Sequence, residues 1–273
     1  MHTPVPMIPL YRKQFPASKA DLARALDEAA HRLASKDGQI VDLRSRVFPY
    51  IDEIVVNLDG AQFDSPPSVI PKPMGATVLA FEAAATTISA RDISVRGVPL
   101  SVRLEAHDLV FHKGQDENGD AFLLVHKLRD GTLSISASQL DLENAIEKIA
   151  RQEGRGLTID QVRLAMRARG RRSIAIDVQV QARKLFLRAR IDISSQIDID
   201  ENFVIRASNF KCKSDGGIGA VACATLEPIF RRLEQKSFSI SSLPLGNIQV
   251  RDIRIAVADT IEITADFGTP ATE

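Results

Sequence analysis

The sequence predicts an α+β protein in which a large antiparallel sheet carries a few long helices on one face. Two observations predict it. Long runs alternate apolar and polar residues with strict period two, so each strand has a dry and a wet side. The element order is strands, helix, four strands, helix, two strands, which lacks the alternation of parallel βαβ units.

The elements follow in order. Ser18 opens a helix-like stretch in which Leu22, Ala25, Leu26, Ala29 and Leu33 recur at three- and four-residue steps, and Gly38 ends it. Ile54, Val56 and Leu58 then alternate as a strand. Asp64 to Gly75 carries four prolines and reads as a loop or irregular edge segment. Ala76 to Lys113 is almost wholly β, HKGQDENGDAF is a hairpin turn, and Phe122 to Leu128 returns. A second helix follows, capped by Ser138 or Asp141, with a stripe of Leu142, Ile146, Ile149 and Ala150.

After it come long regular strands. Val162, Leu164 and Met166 share a dry face, as do Ile174, Ile176 and Val178 in the next strand. Leu185, Leu187, Ala189, Ile191 and Ile193 form a third, and Phe203 to Cys212 a fourth. The third helix spans about Gly217 to Gln235, with Ile218, Val221, Leu226, Ile229, Phe230 and Leu233 on its stripe and Pro228 as an expected kink. Ile248 to Val257, including Ile253 and Ile255, and Ile261 to Phe267 close the chain.

Composition restricts the function classes. The chain has 273 residues, 44% hydrophobic and 26% charged, with formal net charge +0, so no global field draws it to nucleic acid or membrane. No apolar run approaches the ~18 residues of a membrane span. Met1 to Pro16 lacks the charged start and apolar run of a signal peptide. The expectation is a cytoplasmic protein, at most peripheral at a membrane, exported only if this sequence is a piece of a longer one. In that setting Cys212 and Cys223 are expected reduced and buried; a disulfide between them is geometrically conceivable and expected only on export.

Motifs for chemistry are incomplete. Gly217-Ile218-Gly219-Ala220-Val221-Ala222 has the local grammar of a dinucleotide turn, but no second βαβ half and no acidic strand end accompany it. The glycines read instead as a close approach of helix and sheet, with Lys211, Lys213 and the helix N-terminus as an anion-holding alternative. Asp116, Asn118 and Asp120 resemble a calcium loop but lack its glycine and its final glutamate, leaving a polar turn. His107 and His112 point to opposite faces of one regular strand. No enzyme activity, cofactor or metal is expected.

Charge is the stronger signal. From Arg163 to Arg190 there are nine basic residues and one acid, Asp177. Arg163, Arg167, Arg169, Arg171, Arg172, Arg188 and Arg190 stand mostly on the wet side of adjacent strands, as do Lys211 and Lys213. Such a face suits an anionic membrane, each basic residue near it contributing about 1 kcal/mol. Nucleic acid is not expected, because Phe186 is the lone aromatic nearby for stacking.

The last third carries the most specific pattern: the helix GIGAVACATLEPIFRRLEQ, the connector KSFSISSLPLG and the strand pair NIQVRDIRIAVADTIEITADFG, preceded upstream by GTLSISASQLDLENAIEKI. Over roughly Ile51 to Gly268 this resembles the LmeA-like phospholipid-binding family, bacterial relatives of the tubular lipid-binding (TULIP) proteins. The resemblance implies a strongly bent antiparallel sheet wrapped around one long amphipathic helix. On it, residues 39–268 form one lipid-binding domain after an N-terminal segment (1–38) that has no counterpart, and 269–273 are a disordered tail. The implied ligand is a phospholipid or another acyl-chain molecule, bound in an apolar groove, with binding alone and binding with transfer both left open. Its lining would be Ile218, Val221, Leu226, Ile229, Phe230 and Leu233 of the helix, faced by Val162, Leu164, Met166, Ile174, Ile176, Val178, Ile253 and Ile255. The alternative is a structural or partner-binding protein with a closed core that assembles through its N-terminal helix or sheet edge.

Overall fold

The computed structural model describes residues 7–63, 73–95, 97–153, 158–184, 187–240 and 247–270. Among the described residues two large sheets and three helices make the fold. The chain is α+β as expected, but the β structure is divided, and one of the sheets is mixed.

The nine-stranded sheet contains β1 (Met7–Pro9), β3 (Val41–Arg44), β4 (Tyr50–Asn57), β6 (Pro73–Val95), β7 (Val98–Asp116), β8 (Ala121–Lys127), β9 (Asp130–Ser138), β15 (Gln249–Val257) and β16 (Thr260–Gly268). Its order is β15-β16-β9-β7-β6-β4-β3, with β8 and then β1 added beside β7. All its pairs are antiparallel except β4 with β6, where Tyr50 to Asn57 run parallel to Glu82 to Ser89. That pair corrects the all-antiparallel expectation. Period-two patterning fixes which side of a strand is dry, and says nothing of which way its neighbour runs.

Most of the proline-rich stretch, residues 64–72, lies outside the described residues. Its end, Pro73 to Gly75, opens β6, so of the two expectations the irregular edge segment holds there and the loop does not. The proline is tolerated because β4 pairs only with Glu82 onward, so this end of β6 has a partner on one side alone. Register shifts interrupt the β6–β7 pairing between Leu79 and Phe81 and between Ala90 and Ile93. Such bulges bend a strand and increase its twist.

The five-stranded sheet is a regular antiparallel meander of β10 (Thr158–Gly170), β11 (Ser173–Lys184), β12 (Leu187–Ile199), β13 (Val204–Asp215) and β14 (Ser237–Ser239). A short pair, β2 (Ala34–Ser35) with β5 (Gln62–Phe63), stands apart.

Helix α1 (Lys19–His31) begins where expected: the Ser18 hydroxyl accepts from the Asp21 N–H. Leu22 and Ala25 are fully buried against Ile51, Phe81 and Leu123, so the N-terminal segment shares the core of the large sheet. Asp27 locks the helix to the sheet edge by accepting from the N–H groups of Ile40 and Val41 at 2.7 and 2.9 Å. Helix α2 (Gln139–Glu153) is capped by Ser138, which accepts from the Asp141 N–H. Helix α3 (Gly216–Glu234) continues through Pro228 and packs on β12 and β13. At the other end of the chain, Thr269 donates its N–H to Leu128 and accepts the Leu128 N–H on its hydroxyl, so the tail is anchored at its start.

Candidate functional site

The register of the nine-stranded sheet assembles an apolar face residue by residue. One row runs Val56, Ile88, Leu104, Leu133, Ala265, Ile253 across β4, β6, β7, β9, β16 and β15. The next runs Ala90, Val102, Ile135, Ile263, Ile255. A third, Ile54, Thr86, Ala106, Gly131, Phe267, flanks them. Directly opposed residues of paired strands point to the same side, so these rows form one surface. Gly131 is required in it: a Cβ there would stand 2.5 Å from the Phe267 ring.

The two ends of this face are covered. At the β4 end α1 packs over it, contributing Leu22 and Ala25 to the core. At the β15 end Ile253 and Ile255 join Leu164, Met166, Ile174 and Ile199 of the five-stranded sheet, with Leu142 and Ile146 of α2 packed alongside. The sheets are tied there by the Ile255 N–H donating to the Arg171 carbonyl at 2.7 Å. Between the covered ends, Val102, Leu133 and Ile135 are half-buried and Ile263 is 37% exposed. Among the described residues these four belong to none of the three core clusters.

Under α1 the face deepens into an apolar pocket of about 280 Å³, walled by residues such as Leu26, Val56, Phe81, Phe111 and Leu123 and open to solvent past Leu33 and Phe63.

The residues expected to line a groove divide into separate environments. Leu164, Met166, Ile174, Ile253 and Ile255 are buried in one cluster, with Ile176 and Val178 packed against it. Val162 is 1% exposed in another, with Ala222 and Cys223 of α3. Leu226 and Phe230 are half-buried, and the Phe230 ring stacks on Phe210. Val221, Ile229 and Leu233 lie on an exposed flank of α3. The side chain of Ile218 and the Leu243-Pro244-Leu245-Gly246 connector lie outside the described residues, as do Leu185 and Phe186. The helix stripe therefore does not form one continuous lining with the strands. The half-exposed apolar rows of β6, β7, β9 and β16 were missed, although the alternation of Val102, Leu104, Leu133 and Ile135 was visible in the sequence.

The basic residues also separate. Arg163, Gln179, Asp192 and Lys213 stand opposite one another across the wet side of β10 to β13, and Ala165, Asp177, Ser194 and Lys211 form the next row. Together with Glu143 of α2 they line an open depression of about 770 Å³. Much of the positive charge is answered locally: Arg167 pairs with Asp177, Arg190 with Asp192, and Arg183 with Asp160. A hydrogen bond from Gln179, with those of Arg190 and the charge of Lys213, holds the Asp192 carboxyl below its ordinary range. Arg171 and Arg172 are at the β10–β11 turn and bind Asp252. Among the described residues Arg163, Arg169, Arg188, Lys211 and Lys213 form no salt bridge.

Several motifs settle as packing. A Cβ on Gly219 would stand 2.6 Å from that of Ser214, so this glycine admits α3 to β13, whereas Gly217 meets nothing within 4 Å. Among the described residues no α3 side chain lines the depression that holds Lys211 and Lys213, so that depression is not shared with the helix N-terminus. Asp116 accepts from the N–H groups of Asn118 and Asp120 and shapes a hairpin turn. His107 bonds Asp130 and His112 stacks on His126, and among the described residues no three metal-binding side chains converge. No described helix is long and apolar enough to cross a membrane. Contrary to the reduced state expected, Cys212 and Cys223 form a disulfide between β13 and α3.

No family model matches the chain, and neither a curated protein nor a solved structure matches it.

Proposed function

We propose that the protein binds a long-chain lipid along the apolar face of its nine-stranded sheet, in the manner of a bent, tubular lipid-binding fold. The observation that carries this reading is the half-exposed stretch Val102, Leu133, Ile135 and Ile263, continuous with covered apolar surface at both ends. Apolar residues aligned over adjacent strands and left outside every core cluster are an unpartnered surface. From β4 to β15 the face crosses six strands, about 24 Å at the usual strand spacing. That exceeds the ~15 Å depth of one bilayer leaflet's hydrocarbon. Each methylene buried on it contributes about 0.8 kcal/mol.

Membrane docking falls to a surface outside this face. Arg163, Lys211 and Lys213, which form no salt bridge among the described residues, bring positive charge to the depression on the five-stranded sheet, beside Glu143, Asp177 and Asp192, and would be its contacts with an anionic membrane surface. The disulfide suits an oxidising compartment.

The test is native mass spectrometry of the purified full chain, with organic extraction of whatever it carries. Lipid should accompany the wild type, and the double substitution Ile135→Asp/Ile263→Asp should lower occupancy at least tenfold while the circular dichroism is kept. A wild-type protein that arrives empty and takes up no lipid from phosphatidylethanolamine–phosphatidylglycerol vesicles defeats the reading.

A further inference from the structure

The inward stripe of α1 starts with bulk and continues with small side chains. Leu22 is fully buried in the core beneath the first half of the helix, whereas Ala29 and Ala30, two turns later, line the pocket. Alanine reaches less far than leucine, so helix and strands stay apart there, over Phe81, Phe111 and Leu123. Protein interiors hold few voids larger than a water molecule, so a recess of about 280 Å³ calls for an occupant. Leu33, the next large residue of the stripe, lies past the helix end and stands at the mouth with Phe63, both exposed. The wall is hydrocarbon in effect. Among the described lining residues the one polar side chain is Thr86, and its hydroxyl is buried behind the wall, out of a guest's reach. Such a recess holds water poorly, because a bound water needs two to four polar partners. A charged group would lose its hydration inside, and the open mouth lets it stay in water.

We infer that this pocket is a binding site for the tail of a single-chain amphiphile, such as a fatty acid or fatty alcohol, with the head left in solvent beyond Leu33 and Phe63. Size sets how much of the tail is held. A dry cavity of about 150 Å³ accepts benzene, so one of about 280 Å³ takes roughly ten carbons of an alkyl tail. The wall offers the head nothing to pair with, so the site reads tail length and is indifferent to head charge. The pocket adjoins the sheet face proposed to hold lipid, since Val56 and Ile88 belong to both. Leu33 and Phe63 of its mouth lie outside the rows of that face, so a tail enters here on its own and the two readings stand or fall separately.

The experiment titrates the full chain with n-alkanoates from hexanoate to tetradecanoate, below their micellar concentrations, followed by methyl NMR of Leu26, Val56 and Leu123. These methyls should shift, and affinity should rise about fourfold per added methylene, the worth of ~0.8 kcal/mol. The rise should level off near roughly ten carbons, where the pocket is full. Leu26→Ala, which enlarges the space, should move that plateau to longer tails. Ala30→Phe, which fills it, should abolish decanoate binding while the circular dichroism is kept. n-Decanol and decyltrimethylammonium should bind within about tenfold of decanoate, because an exposed charge contributes little. The inference is overturned if no alkanoate shifts these methyls, if affinity climbs to tetradecanoate without a plateau, or if Ala30→Phe binds decanoate as well as the wild type does. A preference among heads beyond about tenfold also overturns it. Uptake of vesicle phospholipid without alkanoate binding overturns it and leaves the lipid reading intact. Alkanoate binding with the plateau, and no phospholipid uptake, upholds it alone.

Discussion

Glu143 of α2 accepts a hydrogen bond at 2.7 Å from the backbone N–H of Leu164, on the outer edge of the five-stranded sheet. Four residues earlier, Gln139 donates its side-chain amide to the Leu164 carbonyl at 2.8 Å. Two side chains one helical turn apart thus satisfy both backbone groups of one residue on a strand that pairs only with β11. A free strand edge invites pairing with another chain, and this helix shields it. Glu143→Ala should cost about 1–2 kcal/mol in urea unfolding. Glu143→Gln, which keeps an acceptor, should recover most of that loss. Equal losses for the two variants would show that charge, not the edge bond, is what matters.

The disulfide joins β13 to a helix whose Val221, Ile229 and Leu233 are exposed, so α3 has little buried surface of its own to hold it. Closing a short loop of this kind contributes about 2–3 kcal/mol. Cys212→Ser/Cys223→Ser should strip hydrogen-exchange protection from Gly216–Glu234 and leave β10 to β12 protected. Uniform loss across the sheet would contradict this division.

Thr86→Val removes an unpartnered hydroxyl and keeps the shape of the side chain. The empty protein should gain about 1–2 kcal/mol of stability, seen as a higher urea midpoint with unchanged slope. A destabilised variant would mean that the hydroxyl has a partner in solution.

Asp252 receives Arg171 at 2.9 Å, Arg172 at 2.7 Å and Arg254 at 3.3 Å, joining the two sheets. The hydrogen bond from Arg172, reinforced by the charge of Arg171, holds its carboxyl below the ordinary range despite partial burial. A depressed folded-state value means the unfolded chain binds the proton more readily. The contribution is therefore complete above the unfolded value, about pH 4, and fades as pH falls through the lower folded one. Asp252→Asn should cost about 1 kcal/mol at neutral pH, discounted for solvent screening. The gap from wild type should close on acidification below about pH 4, read from denaturation at stepped pH; a gap constant to pH 2 would refute the assignment.

Local patterning made much of the fold legible. Helix α1 was readable from Ser18 and the Leu22, Ala25, Ala29 stripe, because a cap and a period are properties of neighbouring residues. The β10 to β13 meander was readable for the same reason. The parallel β4–β6 pair, the separation of two sheets and the burial of α1 against Phe81 were not, since each joins residues far apart in the chain. The same limit governs the candidate site. That Val102, Leu133, Ile135 and Ile263 are apolar and alternate is written in the sequence; that they align into one row is decided by register.

Residue type and spacing alone determined that this chain makes long strands with one apolar side and, among the described residues, three helices. Tertiary structure decided which apolar sides became core and which stayed open. The stripe of α3, which has the composition of a groove lining, ended with one flank in solvent, while modest alternation in β7 and β9 became a half-open apolar face. The reason is physical: hydrophobic burial is non-directional and depends on what else packs nearby. The same isoleucine is core at position 253 and exposed surface at position 263, one strand apart.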